Sequence, residues 1–133
     1  MLGHLGINIA DIAIAKRYYG ALMPSLDFDV FLDTADTIAF RPGRDKPGTY
    51  LFFYQATDTG GSYSRHRTGL QHLAFIVPTR SAVDDVHRLA LDLGSEIVHE
   101  PQEFPQYPPP YYACFWLDPF GFLLEAVCHH DRD

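Results

Sequence analysis

Basic residues are scarce in this chain. Ten lysines and arginines stand against seventeen aspartates and glutamates, a formal charge of −7 over 133 residues. That balance, with no Lys- or Arg-rich cluster, argues against a nucleic-acid footprint or a basic helix lying on a membrane. Long apolar runs are missing as well. Asn8 and Asp11 interrupt the N-terminal segment, and no stretch approaches the length a bilayer requires. Cysteine is rare: Cys114 and Cys128 show no C-x-x-C spacing and read as reduced strand or core residues of a cytoplasmic protein. What is present in quantity is apolar and aromatic matter, 47% and 14% of residues, enough to fill one interior without staples.

The chain is written twice. Setting His4 over His72 aligns HLGINIADIAIAKRYYGALMPSLDF with HLAFIVPTRSAVDDVHRLALDLGSEI. Each half begins with an apolar strand, then a turn and an amphipathic helix. Ile12, Ala15, Tyr19, Leu22 and Met23 share a face of the first helix, which Pro24 is expected to end. Val83, Val86, Leu89, Ala90 and Leu93 do the same in the second, with a Ser81–Asp84 capping box and a stop at Gly94. Strands follow in each half: FDVFLD, TIAFRP and GTYLFFYQA in the first, EIVHE, YYACFWLD and GFLLEAVCH in the second.

The pattern predicts an α+β fold of two βαβββ modules, residues 1–56 and 70–130, joined by a linker loop over 57–69 within one compact domain. Each half alone exposes one face of its sheet. The joining segment ATDTGGSYSRHRTG and the proline-rich PQEFPQYPPP are long enough to act as lids over a pocket, the latter extended and stiff rather than a strand.

Three residues do not suit a core. Strand alternation puts His4 with Gly6 and Asn8, His72 with Ala74 and Ile76, and Glu125 with Leu123 and Val127. Burying an ionised carboxylate costs several kcal/mol unless something pairs it. Taken singly, each has an ordinary explanation. A strand histidine can bond a carbonyl, and Glu125 can pair with Arg41, Arg65 or Arg67. Taken as a set in register with a repeat, two imidazoles and one carboxylate are the donors of a 2-His-1-carboxylate metal site, with positions left open for substrate.

With those residues in view, the chain resembles the vicinal oxygen chelate superfamily, which includes glyoxalase I, bleomycin-resistance proteins, fosfomycin-resistance enzymes and extradiol dioxygenases. The likeness rests on the opening HLGINIADIAIAKRYYGAL, the LQHLAFIV strand and the ending FWLDPFGFLLEAV. That ending is similar to the family's D-P-[DN]-G-x-x-[IL]-E pattern, matched by Asp118, Pro119, Gly121 and Glu125, with Phe120 departing from it. The resemblance implies a curved mixed sheet around a cleft, helices outside, and one divalent metal (Fe, Mn, Zn, Ni or Mg) on His4, His72 and Glu125. It also implies a small-molecule substrate and a homodimer.

Phe52 pairs with Glu125 through the repeat and stands where glyoxalase I-like members carry a fourth ligand, which a phenyl ring cannot supply. Tyr111 and Tyr112 are the candidate catalytic residues, one of the two reaching the cleft, with Phe52 and Tyr54 as candidate substrate contacts. His66, in the joining loop, reads as a solvated residue, with a base delivered by loop closure as the alternative; His99 reads as structural, and His129 and His130 receive no role. The function implied is a metal-dependent enzyme, dioxygenase-like or lyase- or transferase-like. The alternative is a metal-free binding protein of the bleomycin-resistance type.

Overall fold

A computed structural model describes residues 1–130 and 133. The architecture is α+β, with two α-helices and two four-stranded mixed sheets. Residues 1–62 and 63–133 are separate compact units.

The first unit runs β1 (His4–Ile9), α1 (Ile12–Leu22), β2 (Phe28–Asp33), β3 (Thr37–Pro42) and β4 (Tyr50–Gln55). Its sheet order is β1-β4-β3-β2, with β1 parallel to β4 and the other pairs antiparallel. Asp11 caps α1, its carboxylate accepting from the Ala13 and Ile14 amides at 2.9 and 3.3 Å. The helix buries Ala15, Tyr18, Tyr19 and Leu22, and Tyr19 stacks on Phe53 of β4 with centroids 4.0 Å apart. The α-helix ends at Leu22, ahead of Pro24 as expected. A 3₁₀ turn over Met23–Leu26 continues it, with Pro24 in its first turn, where a missing N–H costs nothing.

The second unit repeats the plan: β5 (Leu73–Ile76), α2 (Arg80–Asp92), β6 (Ile97–Glu103), β7 (Tyr112–Leu117) and β8 (Leu123–Cys128). Its order is β5-β8-β7-β6, again with one parallel pair, β5 on β8. The repeat extends to register. Gly6 faces Phe52 in the first parallel pair and Ala74 faces Glu125 in the second, so His4 and His72 stand two residues before equivalent positions.

Several local expectations are corrected. The cap of α2 is Thr79, whose hydroxyl accepts from the Ala82 amide at 3.1 Å, and not Ser81. Asp84 is not free to complete a capping box, because its carboxylate accepts from the Tyr112 hydroxyl at 2.7 Å. His72 lies just outside β5, since pairing with β8 begins only at Leu73↔Leu124. The proline-rich segment is partly strand: β6 continues through Pro101 to Glu103. A register shift between His99 and Gln102 lets the proline sit at a bulge, where no ladder donor is needed. Gly94 does end α2, at φ +77°, with the Ser95 and Gly94 amides donating to the Ala90 and Leu91 carbonyls. Residues from Tyr63 onward pack with the second unit, through its hydroxyl on the Leu70 carbonyl at 2.6 Å and its ring against Phe122.

Candidate metal and substrate site

In the second unit α2 covers one face of the sheet, where the Cys114 thiol reaches the Val83 carbonyl. Burial pushes that thiol up to about 12. The other face carries Phe115, Leu123 and Val127, packed with Phe104 and Ala113. Glu125 belongs to this second face by alternation, midway along β8 and flanked by Ala74 of β5 and Phe115 of β7. Its side chain is 0% exposed.

The carboxylate is only half satisfied. Oε2 accepts from the Tyr111 hydroxyl at 2.5 Å. Oε1 stands 3.2 Å from Nε2 of His72, a distance suited to an ion pair, yet no hydrogen bond of acceptable geometry reaches that oxygen among the described residues. His72 is also held on its other nitrogen. Nδ1 donates to the Gln71 side-chain oxygen, which orients the ring with Nε2 towards Glu125. Two potential metal-ligating atoms therefore face each other across 3.2 Å, the carboxylate oxygen buried and the imidazole partly open to solvent. Burial, followed by the bond to Glu125 and its charge, pushes the Tyr111 phenol above its usual 10.

The two tyrosines part company as adjacent strand residues must. Tyr111 joins Glu125, whereas Tyr112 turns to the helix side, bonded to Asp84 and lying under the Arg80 guanidinium at 5.1 Å. Burial, then the Asp84 bond, pushes the Tyr112 phenol up to about 12. Tyr112 does not stand beside the site that its neighbour enters.

A cleft of about 310 Å³ opens over His72, Glu125, Tyr111 and Phe115. Part of its wall comes from the proline-rich segment, through Gln106 and Tyr107. A neighbouring cleft of about 420 Å³ lies between Arg80, Glu103 and three prolines, sharing Phe104 and Tyr111 with the first. It is larger but contains neither His72 nor Glu125, so the chemistry points to the smaller one. His99, read from sequence as structural, also lines the smaller cleft, its ring 5.5 Å from Phe115 and 5.6 Å from Phe104. The bulge in β6 hid it, because a register shift breaks the two-residue count along the strand. Gln71 and Arg65, both on loops, carried no periodic signal at all.

The first unit gathers the remaining candidates on the face of its sheet away from α1. The His4 ring lies 5.2 Å from Phe52, which stacks on Tyr54 at 5.9 Å. Gly6 makes that stack possible: a β-carbon there would come within 3.0 Å of the Tyr54 ring. Among the described residues, no three His, Cys, Asp or Glu side chains gather closely enough to hold a metal ion. His72 and Glu125 meet as a pair.

The DPFG turn before β8 is built by Asp118, whose carboxylate accepts from the Phe120 and Phe122 amides at 2.9 and 2.8 Å. Gly121 takes φ +88° there. Phe120 contributes to the turn through its backbone, so its side-chain identity leaves the turn intact.

Residues 1–126 match the family model described as the glyoxalase/bleomycin resistance protein/dioxygenase superfamily. The chain is 24% identical over 126 residues to the uncharacterised protein YqjT of Bacillus subtilis, covering 93% of this chain and 95% of that one. Among solved structures, a glyoxalase-like protein of Bacillus halodurans superposes with TM-score 0.80 at 27% identity, over 96% of this chain and 95% of that one. A lactoylglutathione lyase from Agrobacterium tumefaciens superposes with TM-score 0.66 at 17% identity, over 96% and 92%, a likeness of fold alone.

Proposed function

Because the chain belongs to the glyoxalase/bleomycin resistance protein/dioxygenase superfamily, we propose that it is a divalent-metal-dependent enzyme acting on a small oxygenated molecule. His72 and Glu125 are the proposed ligands from the second unit, and His4 is the proposed third, from the same chain or from the second copy in a homodimer. The free thiols of Cys114 and Cys128 suit a reducing cytoplasm.

The observation that carries the proposal is the facing of two potential ligand atoms, Nε2 of His72 and the buried, otherwise unbonded Oε1 of Glu125, at 3.2 Å. Two donor atoms bound about 2.1 Å from one cation lie about 3.0 to 3.4 Å apart, from right-angled to tetrahedral geometry. The pair fits that edge. Gln71 would fix the imidazole tautomer from behind, as outer partners of metal-bound histidines do. Tyr111 holds Oε2, which leaves Oε1 as the oxygen free to ligate.

A bound cation would supply Lewis acidity to a chelated substrate oxygen. Phe52 offers no fourth ligand, so positions stay open for substrate, which favours dioxygenase-like or lyase- or transferase-like chemistry over a four-ligand site. The rings of Phe104, Tyr107 and Phe115 keep water from the substrate's apolar part.

A second reading, a metal-free binding protein, is favoured by one observation: no ligand group of three gathers among the described residues. Anaerobic loading with Fe(II), followed by oxygen uptake with a panel of catechols, separates the branches. Uptake that is lost in His72→Ala supports the dioxygenase branch. No uptake on any diol contradicts it and leaves the Zn-, Ni- or Mn-loaded protein to be assayed for lyase and transferase activity.

A further inference from the structure

We propose that the cleft over His72 and Glu125 takes a ring-bearing anion, an aryl or arylalkyl carboxylate, whose charged group pairs with Arg65. The proposal rests on reading that cleft as the substrate site, and it adds the class of substrate. Three observations carry it. First, the wall is a continuous set of rings. Phe104 lies 5.3 Å from Phe115 and 6.1 Å from Tyr111, and Tyr107 lies 4.8 Å from Tyr111. Rings at such spacings accept another ring by stacking or edge contact.

Second, the cleft holds about 310 Å³, at the small end of ligand pockets, which suits one ring with a short side chain. Third, Arg65 is the one lysine or arginine among the residues lining it. Arg65 is half-buried and has no ion-pair partner among the described residues, unlike Arg44, Arg80 and Arg88, each set against a carboxylate. A guanidinium without a counter-ion among the described residues, in a chain of net charge −7, points locally against the overall field. Its planar fork matches a carboxylate through two parallel bonds. Glu125 lines the same cleft but is fully buried and bonded to Tyr111, so the partly exposed Arg65 sets the sign a ligand's charged head meets, against a cation.

Three probes with one ring and different heads test this on the full chain: 3-phenylpropionate, 3-phenylpropan-1-ol and 3-phenylpropylamine, titrated calorimetrically with and without Zn(II). We expect the metal-stripped protein to bind the carboxylate at least about tenfold tighter than the alcohol, the amine weakest. Arg65→Gln should remove that preference and Arg65→Lys keep part of it, while Tyr107→Ala weakens all three probes alike. Equal binding of the three heads by metal-stripped wild type, or a preference that survives Arg65→Gln, overturns the proposal. A carboxylate preference seen only with Zn(II) and indifferent to Arg65 also overturns it, and supports the metal reading instead. A preference dependent on Arg65 in a protein that retains no metal upholds this inference and sinks the metal reading alone.

Discussion

The Tyr111 hydroxyl donates to Oε2 of Glu125 over 2.5 Å, tying the residue just before β7 to the middle of β8. Among the described residues it is the one hydrogen bond seen on this carboxylate, which has no exposure to solvent. Tyr111→Phe removes the donor and leaves a second buried oxygen bare. The variant should lose about 1–3 kcal/mol of stability in metal-free protein, read by urea denaturation. Unchanged stability would mean that the bond contributes nothing.

Glu125→Gln should act the other way on the metal-free chain. The amide oxygen can still accept from Tyr111, and the new N–H₂ can donate to Nε2 of His72. The unbonded Oε1 position gains a hydrogen-bonding group and a buried charge disappears. We expect a gain on the order of 1 kcal/mol, together with loss of metal retention. A destabilised metal-free Glu125→Gln protein would show that the carboxylate is satisfied without a cation.

Asp27 belongs to the first unit and reports on charge. Arg44 and then Lys46, each 2.5 Å from its carboxylate, hold it down to about 2 from the usual 3.8. The folded-state value is depressed, so the stabilisation is present above about pH 4 and is lost as pH falls towards 2. The group is exposed and screened, so the contribution should stay below about 1 kcal/mol. Asp27→Asn suits the same left-handed backbone, φ 62°. The stability gap between wild type and Asp27→Asn should be open at pH 7 in low salt, and close both near pH 2 and in 1 M salt. A gap that widens on acidification contradicts this account.

The cysteines give a fourth test. Both thiols are free and buried, and burial holds Cys114 in the protonated form. A thiol-reactive chromophore should label neither in the native protein and two per chain in denaturant. Rapid native labelling of Cys114 would show that the contact between α2 and β7 opens readily.

Much of this fold was legible where one face of a strand had to be apolar. FDVFLD and TIAFRP are bounded by turn residues and appear as β2 and β3 residue for residue. Glu125 was legible for the opposite reason, as a charge that no core tolerates alone. The cap of α2 was not. Ser81 and Thr79 are equally good cap residues in sequence, and only the backbone at Thr79, φ −139°, selects between them. Nor could pattern place Tyr112, whose partner Asp84 lies 28 positions earlier on another element. Pattern gives His99 only a structural reading and Arg65 only the part of a counter-ion to Glu125, because a bulge and a loop carry no period.

Metal content measured by plasma emission on purified wild type, His72→Ala and Glu125→Gln, after exposure to equimolar Fe(II), Mn(II), Ni(II) and Zn(II) and gel filtration, tests the central claim most directly. Wild type should retain close to one divalent ion per chain and each variant a small fraction of that. Wild type retaining no more than the variants would contradict a metal shared by His72 and Glu125.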